Sequence, residues 1–274
     1  MEEKEIAEKL ESAALKETGL EANMRRLRPV LLAAAAKKGA KSAVLRYITA
    51  FAAIAAASLV TFHVVDDMND GSRFNKKGGM WSTFSDAAIG GDSVVWPPES
   101  FDSESPFVMS APGYGETGWA VRITGTSGEK MGFNYNYLGV LVRFTGESAC
   151  PACAGTDISR YRGVRFKIKG SLPGGELVFI LPYESEQCDT AIMSCESMTG
   201  YADYQADITG YVTPVWTTVA LDFEKDLKQP FWVKKEHRFP VKEVLKSAHL
   251  FKWQYKNGAK GRVVDIWIDD VELY

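Results

Sequence analysis

The sequence predicts a mainly β protein: an antiparallel β-sandwich of the jelly-roll type, preceded by an N-terminal helical segment and one transmembrane helix. Three observations predict it. Short runs of alternating apolar and polar residues recur along 66–274. Turn clusters rich in Gly and Pro, such as "SLPGG" (171–175) and "KNGAKG" (256–261), separate them. An apolar run at 47–65, in which only His63 is ionisable, divides this part from a basic one. Many short strands with few helical stretches indicate a sandwich, and period-two alternation marks a strand with one buried face.

Taken in order, residues 1–42 form the first segment. Ile6, Leu10, Ala13, Leu20, Met24, Leu27 and Leu31 recur at helical spacings, and Gly19 and Pro29 interrupt them, so short helices are expected rather than one rod. The stripe is too narrow to fold alone. It reads as a solvated juxtamembrane helix or as a docking helix for a cytoplasmic protein partner. Residues 43–65 form the second segment, a transmembrane signal anchor. About 20 apolar residues span a bilayer core. Residues 25–46 carry seven Lys/Arg and no acid, and Asp66, Asp67 and Asp70 follow the run. The positive-inside rule then puts the N-terminus in the cytoplasm and 66–274 outside. A buried Ala-rich helix and a cleaved signal peptide are the competing readings.

Residues 66–274 form the third segment. Strands are expected at 119–125, 138–144, 163–170, 176–183, 204–208, 216–223, 249–256 and 263–273, and one short helix within 240–248. In the last run, "VVDIWIDDVEL", the alternation shifts phase at Asp269–Asp270. Such a shift marks a bulge or a strand end carrying a ligand.

Charge and motifs narrow the function classes. A net charge of −3 offers no nucleic-acid footprint. Cys150, Cys153, Cys188 and Cys195 all lie on the predicted exterior side, so they read as two disulfides. Local pairing, Cys150–Cys153 and Cys188–Cys195, is preferred over crossed pairing. "CPAC" lacks the strand–CxxC–helix context of a redox dithiol. His63, His237 and His249 have no metal-ligand spacing. There is no G-x-S-x-G elbow and no P-loop. Glu184 and Glu186 are neighbours on one strand side, not opposed across a cleft as glycoside hydrolysis requires. The chain therefore reads as a non-enzyme.

Four segments, in order, carry a family resemblance. They are "VVDDMNDGSRFNKKGGMWSTFSD", "TDISRYRGVRFKIKGS", "YADYQADITGYVTPVWTTVALDF" and "LFKWQY…VDIWIDDVELY". Together they resemble the galactose-binding-like β-sandwich of bacterial extracellular modules, nearest to family 11 carbohydrate-binding modules and complex I intermediate-associated domains. The resemblance implies that the first and last strands pair. It also implies a possible structural calcium held by Asp67, Asn69 and Asp270, with Asp66 and Asp269 in reserve. Asn69 stands where the family usually has Glu, which weakens such a site.

The implied function is non-catalytic binding of a polysaccharide, by aromatic stacking and hydrogen bonds from planar polar groups. Trp81, Tyr135, Tyr137, Trp232, Trp253, Gln254 and Tyr255 are the candidates, with Trp81 and Trp232 as rim residues. On 249–256, Phe251, Trp253 and Tyr255 share one strand face and Lys252 and Gln254 the other. Alternation leaves open which of the two faces the core. The whole is then a single-pass protein of the bacterial cell membrane. The alternatives are a transmembrane regulator of the anti-sigma kind that senses glycan outside, and a structural or protein-binding module of the envelope.

Overall fold

The structure is a computed structural model, and it describes residues 63–99, 107–130, 136–145, 155–182, 188–189, 194–195, 203–233, 235–258 and 260–274. The predicted cytoplasmic segment, the apolar run up to residue 62, Tyr135, Cys150 and Cys153 lie outside the described residues. Among the described residues no helix is long and apolar enough to cross a membrane.

Two antiparallel sheets face each other. One contains β1 (His63–Asp66), β3 (Val94–Trp96), β4 (Val121–Thr126), β6 (Gly163–Ser171), β11 (Thr217–Asp222) and β13 (Val263–Leu273). Its order is β11-β6-β13-β4-β3, with β1 also on β13. The other contains β2 (Trp81–Ser85), β5 (Tyr137–Arg143), β7 (Glu176–Leu181), β10 (Tyr204–Asp207) and β12 (Leu250–Lys256), in the order β10-β7-β12-β5-β2. A small hairpin pairs β8 (Cys188–Asp189) with β9 (Ser194–Cys195). The one α-helix among the described residues, α1 (Val241–Leu245), falls within the predicted 240–248.

Each strand's alternation determines what it buries. On β13, Val264, Ile266, Ile268, Val271 and Leu273 enter the core. Phe166, Phe179, Phe251 and Trp253 meet them from both sheets. Trp253 stacks on Trp81 at 5.6 Å between centroids and takes the edges of Phe166 and Phe179 at 5.3 and 5.4 Å. Edge-on and offset aromatic contacts add stabilisation beyond the area they bury.

The phase shift at the end of β13 is a bulge. Up to Ile268 the strand pairs with β4; from Val271 it pairs with β1, with His63 opposite Leu273. The register against β6 slips between Asp269 and Glu272, and Asp270 takes φ +48°. The extra residue lets one long strand change partners along a single edge. First and last strands therefore pair as the family resemblance implies.

The pairing corrects the membrane-anchor boundary. His63, Val64 and Val65, assigned by hydropathy to the apolar span, are the start of β1, and Val65 is buried in the sandwich. A strand that buries one face in a core is as apolar as the end of a span, so hydropathy alone runs the two together. The sandwich begins at His63, not at residue 66.

Candidate functional site

The core claims three of the predicted ligand-binding aromatics. Trp81, Trp253 and Tyr255 are each 0% exposed. Trp81 Nε1 donates to Asp66 Oδ2 at 2.7 Å, and Tyr255 Oη donates to the Gly174 carbonyl at 2.9 Å. They are corrections: alternation put Trp253 and Tyr255 on one face of 249–256, but that face points inward, and Trp81, expected at a rim, opens β2 and is buried with them. Asn136, just before β5, is buried too and donates to the Gly128 carbonyl.

With the aromatics inside, the opposite phase lines the outer face of the five-stranded sheet. Its registers build three transverse rows. Tyr137, Lys256 and Glu176 stand side by side, with Lys256 Nζ 3.4 Å from the Glu176 carboxylate. The next row is Phe84, Gly139, Gln254, Val178 and Asp207. The third is Ser82, Leu141, Lys252, Ile180 and Gln205. Adjacent strands lie about 4.8 Å apart, so the groups in a row are near neighbours.

Gly139 explains how Phe84 lies. A Cβ there would come within 2.6 Å of the Phe84 ring. The bare backbone lets the ring lie across the strand towards Gln254, and Tyr137 packs on it at 6.0 Å. Leu141, Val178 and Ile180 form a buried floor, whereas Phe84, Tyr137, Gln205, Lys252, Gln254 and Lys256 are partly exposed. The result is a trough with two aromatic rings at one side and amides, carboxylates and ammonium groups across it. Of the predicted residues it unites Tyr137 and Gln254. Sequence reasoning missed Phe84 and Gln205; the signal was the uninterrupted polar phase Lys252, Gln254, Lys256 on β12, which had to face away from the core.

The outer face of the six-stranded sheet is also aromatic, but Tyr114, Trp216 and Trp267 are engaged by the protein's own cations. Lys169 Nζ lies 4.6 Å from the centroids of both Trp216 and Trp267. Arg122 lies 4.8 Å over Trp267 and grips Asp265 through two hydrogen bonds of 2.9 and 2.8 Å. Lys167 sits 4.2 Å over Tyr114. A sugar would have to displace those cations to stack on these three rings.

Trp232 is 55% exposed and Phe231 90%, on a loop beyond β11. Lys228 on the same segment bridges Gln205 of β10, so the loop starts at the edge of the five-stranded sheet.

Of the residues expected to hold calcium, Asp67 meets nitrogen donors of the protein. Asp67 Oδ2 accepts from Lys76 Nζ at 2.8 Å, and its Oδ1 from the Asn69 amide. The reserve pair is also engaged. Asp66 accepts from Trp81 Nε1 and the Met68 amide; Asp269 accepts from the amides of Tyr114, at 2.6 Å, and Asp270. Among the described residues no group of three or more His, Cys, Asp or Glu is disposed to hold a metal. Calcium takes six to eight oxygens, whereas Asp66, Asp67 and Asp269 already turn carboxylate oxygens to nitrogen donors of the protein. Chelator should accordingly move the melting temperature by less than about 2 °C, against the shift expected if a bound ion were released; differential scanning fluorimetry with EDTA and with excess calcium measures it.

Burial, more than any partner, governs the carboxyls at this bulge. It raises Asp269 from the usual carboxylate range to about 6, with the neighbouring Asp270 and Asp66 charges adding to the rise and its two amide donors opposing it. Asp66 is raised for the same first reason, and its bond from Trp81 works against the rise. Asp67, held by Lys76, is lowered.

Comparison with known proteins gives fold-level likeness only. No protein-family model matches the chain, and no curated protein does. Among solved structures the chain is similar to a family 11 carbohydrate-binding module from Clostridium thermocellum in complex with a β-1,3-1,4-mixed-linked tetrasaccharide. That likeness has 15% identity and a TM-score of 0.45, over 77% of this chain and 94% of that one. It is also similar to the family 30 module of a cellulosomal cellulase of the same organism, at 13% identity and a TM-score of 0.38, over 67% of this chain and 90% of that one. A β-1,2-glucanase from Parabacteroides distasonis shares 10% identity with a TM-score of 0.43, over 77% of this chain and 24% of that one.

Proposed function

We propose that residues 63–274 are a non-catalytic carbohydrate-binding module that takes a polysaccharide in the trough of the five-stranded sheet. The observation that carries this reading is the row Phe84, Gly139, Gln254, Val178, Asp207. It offers an aromatic face, an apolar floor, an amide and a carboxylate in one line. That is the chemistry of a pyranose, which has one C–H face and a rim of hydroxyls. The family resemblance of the sequence points the same way. In this reading the module stands outside the cell, tied to the membrane by the apolar run before His63, with residues 1–42 free to hold a cytoplasmic protein. Cys188 and Cys195 form a local disulfide; the register that sets them opposite each other on β8 and β9 supports it.

Affinity electrophoresis against soluble β-glucans, xylan and mannan tests the trough. Phe84→Ala and Gln254→Ala should each weaken retardation by one polymer about tenfold, equivalent to about 1.4 kcal/mol. Trp96→Ala, on the outer edge of the other sheet, should leave it unchanged. If the folded protein is retarded by none of these polymers, or if only Trp96→Ala matters, the trough is not the site.

A further inference from the structure

The loop between β11 and α1 carries Phe231, the most exposed large apolar side chain of the described residues, next to an exposed tryptophan. Phe231 is 90% exposed and Trp232 55%, with their rings edge to face at 5.4 Å. Water is a poor environment for two such rings. The tip is nonetheless built to present them. Arg238 Nη2 donates to the carbonyls of Pro230 and Phe231 at 3.3 and 3.2 Å, and Val233 is anchored in the interior. The backbone is thus held from behind while both rings point outward.

The surroundings are basic. Between residues 228 and 242 the chain has Lys228, Lys234, Lys235, Arg238 and Lys242 against the single acid Glu236, in a protein whose net charge is −3. An open groove of about 690 Å³ at the base of the tip is lined by Lys228, Arg238, Lys242, Tyr204, Phe239 and also Glu224, which pairs with Lys242. Exposed aromatics on a segment rich in Lys and Arg suit the headgroup region of an anionic bilayer, where rings settle at the interface and Lys/Arg meet phosphate.

Topology adds an independent reason. His63, Leu273, Val164 and Leu221 lie in one transverse row across the six-stranded sheet. The chain therefore enters the sandwich at the same end from which, two residues after Leu221, the segment leading to Phe231 departs. The apolar run ending at residue 62 is covalently joined at that end.

We propose that the Phe231–Trp232 tip is a second membrane contact, docking into the interface of an anionic phospholipid bilayer. The proposal rests on the membrane-anchored reading above, and the test separates the two. All seven tryptophans lie after residue 80, so the apolar run contributes no tryptophan signal. The full chain is reconstituted into phosphatidylcholine vesicles containing phosphatidylglycerol, with and without brominated acyl chains, and tryptophan quenching is read after flotation. The expected result is a loss of about a seventh of the emission, one tryptophan in seven, that disappears in Trp232→Phe. In Phe231→Ser, with Trp232 retained, it should shrink several-fold, and replacing phosphatidylglycerol by phosphatidylcholine should weaken it. Flotation with quenching unchanged by Trp232→Phe would overturn the tip and leave the anchor standing. Failure of the chain to float would overturn both. Loss of polysaccharide retardation in Trp232→Phe, with no Trp232 quenching, would reassign the tip to the glycan.

Discussion

Trp81→Ala should cost the sandwich about 4–8 kcal/mol, comparable with a domain's usual stability of about 5–15 kcal/mol. Two losses combine. Truncating a fully buried tryptophan leaves a cavity against Trp253 and costs about 3–5 kcal/mol. It also removes the Nε1–H bond to Asp66, a carboxylate only 3% exposed, and leaving a buried acceptor unmatched costs about 1–3 kcal/mol more. Trp81→Phe, which keeps a ring but not the donor, should recover about half of the loss. Urea melts of the three proteins measure both steps. Equal stability of Trp81→Ala and the parent would mean that Trp81 stands on the surface, as a glycan-rim residue would.

Asp269 should make stability fall as pH rises from about 4 to 6.5, in a way that Asp269→Asn does not. The folded carboxyl keeps its proton to about pH 6, whereas the unfolded chain releases it near 4. Between those values the folded state holds the extra proton. Stability therefore drops with rising pH and levels off above about 7. The size is on the order of 2–3 kcal/mol for one such group. Asp66, also raised, contributes with the same sign. Asp67 and Asp222, lowered by Lys76 and Arg162, contribute with the opposite sign below pH 4. Melts of both proteins at pH 4.5, 5.5, 6.5 and 7.5 should diverge steadily at the acid end; parallel curves would show that Asp269 titrates normally. Because Asn offers only one acceptor to the amides of Tyr114 and Asp270, the variant's absolute stability is not the readout, only its slope.

Much of the architecture was legible in the sequence. The eight runs chosen for alternation correspond to β4, β5, β6, β7, β10, β11, β12 and β13 within two residues at each end. Most, such as β6, β12 and β13, have one buried face and one wetter face, which is what alternation records; β5 and β7 are buried on both faces and read as apolar runs. The missed strands are those without that contrast. β1 is apolar enough to pass for the end of a span, and β3 is three residues long. β2, "WSTFS", buries its hydroxyls along with Trp81, so its pattern looked like a loop. The binding face was less legible. On β12 both phases carry groups that could meet a sugar, Trp253 on one and Gln254 on the other. Deciding between them requires knowing which sheet lies opposite, and that is a tertiary fact. Phe84 escaped for a related reason: its role depends on a glycine 55 residues away, Gly139, being its cross-strand neighbour.

The change of partners along β13 also bears on how the protein is made. His63, the first residue of the sandwich, pairs with Leu273, 210 positions later. Between β6 and β4 there is only a gap until 263–273 arrives. During synthesis or export, the earlier strands must therefore wait with unpaired edges, tens of seconds at ordinary translation rates of about 5–20 residues per second. Their order of emergence is not their order of assembly, and the long-range closure makes the final step slow as well as late. A partner that shields sheet edges in the meantime would matter more to the yield of this domain than to its finished stability.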